Sequence, residues 1–288
     1  MSDKDLLKKI KKLREMTGVG FKDCKSALDE TKGDIEKSVV FLRKKGIAKA
    51  SKKMDRTASE GLVLVKEDNG IISIIEINSE TDFVAKNSDF INFCKELSEI
   101  NFFVKGDLKK LNNSKMKNGN TVEDNLLNLI SKIGEKIIIR RAKFFDNSKG
   151  LNFYYVHSAL QKNIGKIISV VKIEGISKGK NDDLGNKIAM HIAASNPLSI
   201  DIKDIDQKII DKELEIIKAE IINSGKPKEM VEKISKGKIT KFMNENSLMN
   251  QMWIMDSKKK VLDVLKENSL EKELKILDFV KYRVGEGV

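Results

Sequence analysis

The sequence contains few of the residues that cross-link a chain, stiffen it or bind metals. Its 288 residues include two cysteines, two prolines, two histidines and one tryptophan. Cys24 and Cys94 are far apart and form no CxxC pair, which excludes a disulfide scaffold or a zinc knuckle. Neither His157 nor His191 has a second metal ligand three or four residues away. We therefore predict no metal site and no cofactor.

Long hydrophobic runs and catalytic motifs are also absent. No stretch of about 18 apolar residues could span a membrane, and the charged N-terminal segment MSDKDLLKKIKKLREM is unlike a signal peptide. There is no GxSxG nucleophile motif and no cysteine with a neighbouring histidine. These absences predict a cytoplasmic protein that is not an enzyme and makes no covalent intermediate.

Positive charge is abundant. The formal net charge is +12, with 40% hydrophobic and 34% charged residues, so the chain can form a hydrophobic core and still carry a basic surface. A basic surface attracts RNA, ribosomes or acidic protein faces. Lysines on solvated helix faces would give the same net charge in a protein that binds no anionic partner. A basic RNA- or ribosome-binding protein is therefore an open alternative, and so is a scaffold protein.

The N-terminal part of the chain predicts a small helical domain followed by a linker. Apolar residues at helical spacing, separated by glycine-containing turns, predict three short helices in residues 1–46, the third ending near Gly46. Residues 47–60 are basic, polar and small, which is typical of a mobile tether.

The rest of the chain predicts an α+β core of two related subdomains with antiparallel sheets, residues 61–146 and residues 147–288. The first contains a hairpin around Asp68-Asn69-Gly70, then helices, then a strand over Ile137–Phe145. The second repeats the β-β-α-β order and is interrupted by two amphipathic helices over residues 207–246. Those helices predict an antiparallel hairpin with apolar seams, which either contacts a partner or packs on its own body.

One segment, Asn78 to Asn87, has an unusual composition for a structural loop. It follows a very apolar strand and places Asp82 beside Phe83, with Asp89 as the expected N-cap of the next helix. In one interpretation Phe83 folds back into the core and Asp82 caps the turn. In the other, Phe83 is an exposed aromatic that enters a partner.

Motifs along nearly the whole chain point to one family. They occur in this order: Leu13–Lys25, Gly33–Glu36, Thr81–Lys86, Lys132–Glu135, Ile139–Arg141, Ala189–Pro197, Ser224–Glu229 and Val284–Gly287. With these motifs the chain resembles the elongation factor Ts family, the bacterial guanine-nucleotide exchange factors of elongation factor Tu. The resemblance implies a ubiquitin-associated-like N-terminal domain, a two-part α+β core and an inserted coiled-coil hairpin.

The resemblance also implies roles for particular residues. It implies that a first set displaces Mg²⁺ from elongation factor Tu, with the aromatic ring as the inserted group: Thr81, Asp82, Phe83 and Val84. It implies that a second set contacts the nucleotide domain, the phosphate loop and the third domain of that partner, in this order: Arg14, Phe21 and Lys22; Ile133 and Gly134; His157, Ile254 and Met255. Such a factor acts by binding alone, and a homodimer or a 2:2 complex with elongation factor Tu stays open.

Overall fold

The computed structural model of the chain describes residues 3–17, 19–51, 53, 55–176, 179, 182–224, 227–269 and 272–288. Two predicted turns, at Gly18 and at Gly225-Lys226, lie outside the described residues. The chain divides into two compact units. The first comprises Met1–Phe144, Ser158–Lys166 and Tyr282–Val288, and the second comprises Phe145–His157 and Ile167–Lys281. Residues 158–166 and 282–288 thus lie with the first unit, whereas the sequence division placed them in the second.

The elements follow one another with short connections. The α-helices are α1 (Asp3–Thr17), α2 (Phe21–Glu30), α3 (Ile35–Ser51), α4 (Asp82–Ala85), α5 (Ser88–Phe103), α6 (Leu108–Asn113), α7 (Val122–Ile133), α8 (Asp182–Ser195), α9 (Gln207–Asn223), α10 (Lys228–Asn246) and α11 (Val261–Asn268). The strands are β1 (Glu60–Asp68), β2 (Ile71–Ser79), β3 (Ile137–Phe145), β4 (Leu151–His157), β5 (Ile164–Gly165), β6 (Ile167–Glu174), β7 (Met252–Trp253), β8 (Asp256–Lys260) and β9 (Lys275–Arg283). Two 3₁₀ turns, Ile202–Asp204 and Leu248–Asn250, flank the long helices.

Helices α1 to α3 form the predicted head around a small core that includes Leu13, Cys24 and Leu28. The third helix does not end at Gly46, as predicted, but continues to Ser51. It packs along α7, where Arg43 pairs with Asp124. Tertiary packing of this kind outweighs the roughly 1 kcal/mol that a glycine costs inside a helix. The head is therefore held by a helix–helix contact as well as by the segment that follows it.

The sheet of the first unit has the strand order β3-β2-β1-β5. Strands β1 and β2 form an antiparallel hairpin in which Leu64 is paired with Ile75. Asn69 and Gly70 both have positive φ, 51° and 79°, as a type I′ turn requires. Helix α5 packs on β1 and β2, and its Phe90 is buried in the core between the helix and the sheet. Its N-cap is Asn87, which accepts hydrogen bonds from the next turn, so the predicted N-cap at Asp89 was wrong by two residues.

A buried carboxylate lies on the same hairpin. Glu76 is fully buried and pairs with Arg140 at 3.0 Å and with Arg141 at 2.6 Å. The side-chain N–H₂ of Asn78 and the backbone N–H of Gly285 also donate to it, each at 3.1 Å. Gly285 has a φ of 74°, and a Cβ there would come within 2.1 Å of the Ser59 carbonyl oxygen. Only glycine therefore lets the C-terminal segment approach close enough to complete this network.

The second unit is built on the sheet β4-β6-β9, with α8 packed on β4 and β6. Its core includes Val171, Ile188 and Trp253. Helices α9 and α10 form the predicted hairpin over residues 207–246, and their seam buries Ile217 and Ile239. The sequence analysis did not predict α4, α6, α11 or the short strands β5, β7 and β8. The three helices have only four to eight residues, β5 and β7 have two each, and β8 is highly charged. Segments of this kind are too short or too polar to show hydrophobic periodicity.

Candidate functional site

The segment after β2 presents an aromatic ring to solvent. Residues Asp82–Ala85 form a single helical turn instead of the predicted loop. Val84 and Ala85 are buried in the core of the first unit, while Phe83 is 79% exposed. Successive side chains of a helix point about 100° apart, so anchoring Val84 inward turns Phe83 outward. The interpretation in which Phe83 enters the core was wrong. Val84, at 4% exposure, anchors the turn.

Two carboxylates connect this turn to the end of α7. Glu135 accepts hydrogen bonds from the backbone N–H of Thr81 at 3.0 Å and from its hydroxyl at 2.8 Å. In the opposite direction, Glu80 accepts from the backbone N–H of Lys136 at 2.6 Å. Hydrogen bonds to ionised acceptors are about twice as strong as neutral ones. We name these four residues the crossed clamp, and it fixes the position of the Phe83 turn relative to Gly134.

The segment after α3 is fastened to the crossed clamp. The guanidinium of Arg56 lies 3.2 Å from the Glu80 carboxylate, and the ammonium of Lys136 donates to the Arg56 carbonyl at 2.7 Å. The ammonium of Lys53 donates to the Gly134 carbonyl. Two residues of the predicted linker, Lys53 and Arg56, thus contact the site.

Ile133 and Gly134 lie where α7 ends. Gly134 has a φ of 85°, the left-handed conformation that commonly ends a helix, and its N–H donates to the Ile130 carbonyl. Ile133 is partly buried and packs against the first core, whereas Gly134 is exposed. Gly134 is thus a single exposed residue without a side chain, which lets another backbone approach it closely.

Both acidic residues that flank Thr81 are held in the ionised state. Lys86 donates a hydrogen bond to Asp82 at 2.8 Å and lowers the pKa of that carboxyl below its usual value. Burial acts to raise the pKa of Glu80. The hydrogen bonds from Lys136 and Arg56 outweigh burial, and the net pKa of Glu80 is lowered. Both carboxylates are therefore ionised at neutral pH, and each is paired with a cation, Asp82 with Lys86 and Glu80 with Arg56.

The remaining predicted residues lie on other elements. In the head, Arg14 is in the last turn of α1, while Phe21 and Lys22 begin α2, and all three are exposed. In the second unit, His157 is exposed at the end of β4. Ile254 and Met255 are exposed in the turn between β7 and β8, a short hairpin we name the apolar tip, residues Met252–Asp256.

Comparison with known proteins gives a consistent result over most of the chain. The family model described as "Elongation factor TS" matches residues 80–286. "Elongation factor Ts" from Maricaulis maris is 43% identical over 251 residues, covering 86% of this chain and 80% of the relative. "Elongation factor Ts" from Rickettsia bellii is 40% identical over 283 residues, covering 97% of this chain and 91% of the relative.

The chain belongs to the elongation factor Ts family. Elongation factor Ts is the nucleotide exchange factor of elongation factor Tu in translation elongation. The predicted family and the predicted α+β fold class are thus confirmed. Within the ranges that the structure describes, no helix has the length and apolar character needed to cross a membrane. Nor do the described residues group three or more histidine, cysteine, aspartate or glutamate side chains in a way that could hold a metal ion.

Sequence reasoning missed the residues that position the candidate site. Glu80, Glu135 and Arg56 had no predicted role, although Glu135 ends a motif used for the resemblance. Their partners are 24 to 56 residues away along the chain. The local signals were the polar residues that follow β2 and the glycine within Lys132–Glu135. Neither signal shows which distant residues these segments bind.

Proposed function

We propose that Phe83 is the group that weakens GDP binding by elongation factor Tu. Its ring is exposed on a turn that Val84 anchors and the crossed clamp fixes. Mg²⁺ requires near-ideal octahedral geometry and usually keeps several waters, so an apolar ring that displaces its supporting segment removes it from the nucleotide. This exposed, rigidly held ring is the single observation that carries the proposal.

The other predicted contacts then hold the distorted partner. Ile133 and Gly134 face its phosphate loop, and Thr81 and Asp82 make polar contacts beside Phe83. The head, through Arg14, Phe21 and Lys22, binds the nucleotide domain. His157, Ile254 and Met255 bind the third domain. None of these contacts requires covalent chemistry, and the protein would act in the cytoplasm, where translation elongation supplies its partner.

Linkage gives the thermodynamic condition for exchange. A factor that binds the empty partner more tightly than the GDP-bound partner weakens GDP by the same ratio, and GDP weakens the factor equally. Burying one phenylalanine side chain is worth about 1.5–3 kcal/mol, or roughly one to two decades of affinity. If the slot for Phe83 exists only in the distorted partner, burial of this ring supplies much of the ratio between the affinities for the empty and the GDP-bound partner.

The decisive experiment is release of labelled GDP from elongation factor Tu with and without this chain, followed by stopped flow. We expect release to accelerate and to saturate as the chain concentration rises. An unchanged rate would reject exchange activity. Retention of the chain on RNA with a steep salt dependence would favour the nucleic-acid alternative instead. Light scattering of the complex measures whether it is 1:1 or 2:2.

A further inference from the structure

A buried histidine lies directly behind the apolar tip. His191, in the middle of α8, is fully buried, and its ring stacks on Trp253 with centroids 5.3 Å apart and planes at 23°. It belongs to the Ala189–Pro197 motif, for which the exchange mechanism has no use. A buried titratable ring next to a proposed binding element invites the question of what it holds in place.

Gln251 determines which nitrogen of His191 carries the proton. The side-chain N–H₂ of Gln251 donates to the backbone carbonyls of Ser195 at 3.1 Å and Glu245 at 2.8 Å. Its Oε1 therefore faces His191 Nε2, at 2.9 Å, and can only accept. Nε2 is thus the protonated nitrogen, and Nδ1 of the neutral ring is left as an acceptor.

That acceptor is used by the apolar tip. The backbone N–H of Ile254 donates to His191 Nδ1 at 3.4 Å. The tip is also anchored by Trp253 in the core of the second unit, but β7 has only two residues and its pairing with β8 is irregular. Met252, Ile254 and Met255 are 40–49% exposed on this tip, and the bond to His191 is made by the backbone of the middle one of these three residues.

We propose that His191 is a positioning residue for partner binding. Its neutral imidazole accepts from Ile254 N–H and supports Trp253 from behind, so that Ile254 and Met255 are presented in one fixed arrangement to an apolar protein surface. Preorganisation of this kind lowers the entropy lost on binding. The inference rests on the proposed docking role of Ile254 and Met255, and it adds the device that shapes them.

Two substitutions separate the two hydrogen bonds of the ring. In His191→Asn, the amide oxygen replaces Nδ1 as an acceptor for Ile254 N–H. In His191→Gln, the amide nitrogen replaces Nε2 as a donor to Gln251, and the bond to Ile254 is lost. His191→Phe keeps the stacking on Trp253 and loses both bonds. Because Trp253 is the only tryptophan, its emission in the free chain reports the tip directly.

Binding to nucleotide-free elongation factor Tu is measured by titration calorimetry, together with the GDP release rate at saturation. We expect His191→Gln and His191→Phe to weaken binding about tenfold and His191→Asn to stay within about threefold. The saturated release rate should not change, since the ring is not in the Phe83 site. The Ile254 amide signal in an NMR spectrum should shift for the glutamine and phenylalanine variants and stay near its position for asparagine.

Ile254→Ala separates failure of this inference from failure of the proposed docking role. If Ile254→Ala weakens binding while His191→Gln binds like the unmodified chain, the positioning role is overturned and docking stands. Equal losses for the asparagine and glutamine variants would also overturn it, because the bond to Ile254 would then not matter. Normal binding by Ile254→Ala would overturn the docking role, and the positioning role would fall with it.

Discussion

Replacing Phe83 with alanine tests the exchange mechanism with little risk to the fold. The ring is 79% exposed, so its removal should change the free energy of unfolding by no more than about 0.5 kcal/mol. In the complex the same ring is expected to be buried, at about 1.5–3 kcal/mol. We therefore expect Phe83→Ala to slow the saturated rate of GDP release by about tenfold to a hundredfold.

The chain offers a matched control for this variant. Phe103 is 77% exposed at the C-terminal end of α5, outside the crossed clamp and the Phe83 turn. Phe103→Ala removes the same group from the same unit and should leave the release rate unchanged. Stopped-flow release of labelled GDP is measured at a series of chain concentrations, so that the saturated rate is separated from the strength of binding.

Varying Mg²⁺ tests the cause of the effect. If Phe83 acts by displacing the ion, chelation of Mg²⁺ should bring the release rates of Phe83→Ala and the unmodified chain together. The reasoning is refuted if Phe83→Ala releases GDP at the normal rate, or if Phe103→Ala loses as much. A difference that persists without Mg²⁺ would show that the ring acts on something other than the ion.

Three further changes test the supports of the site and the fold. Glu135→Gln weakens the bonds to Thr81 and should slow saturated GDP release about tenfold with an unchanged circular dichroism spectrum; a normal rate would remove the crossed clamp from the mechanism. Glu76→Ala leaves Arg140 and Arg141 without their buried partner and should lower the free energy of unfolding in urea by about 3–5 kcal/mol; a loss below about 1 kcal/mol would contradict this. Burial lowers the pKa of His191 below 6.5, so the unfolded chain binds the proton more readily. The contribution of the neutral His191 to the free energy of unfolding is therefore complete above pH 6.5, and it decreases as the pH falls toward the pKa of the folded chain. Urea unfolding between pH 7.5 and 5.5 should show a steeper loss than for His191→Phe, and equal slopes would contradict the assignment.

Local signals in the sequence predicted much of the architecture. The bounds of α7, β3 and the α9–α10 hairpin follow from apolar periodicity interrupted by strong turn residues, and these are properties of neighbouring residues. Asn69-Gly70 predicted the hairpin turn because few other pairs adopt positive φ twice in succession. Elements whose structure depends mainly on neighbouring residues could therefore be predicted from the sequence.

The site depended on contacts that no local pattern encodes. Glu135 and Thr81 are 54 residues apart, and their meeting requires the complete sheet. The exposure of Phe83 follows from the burial of its neighbour Val84, which the pattern of the segment alone did not decide. Helix α3 extends past Gly46 because α7 packs against it. Each of these features depends on how distant elements pack together, including the core that buries Val84.

The buried Glu76 receives one of its hydrogen bonds from Gly285, 209 residues further along the chain. Strand β5, which completes the same sheet, also comes from well beyond the residues that begin it. A ribosome therefore has to deliver nearly the entire polypeptide before the first unit can close. A chain truncated before its last residues therefore lacks part of the first unit, and the loss should destabilise the unit that also contains the N-terminus.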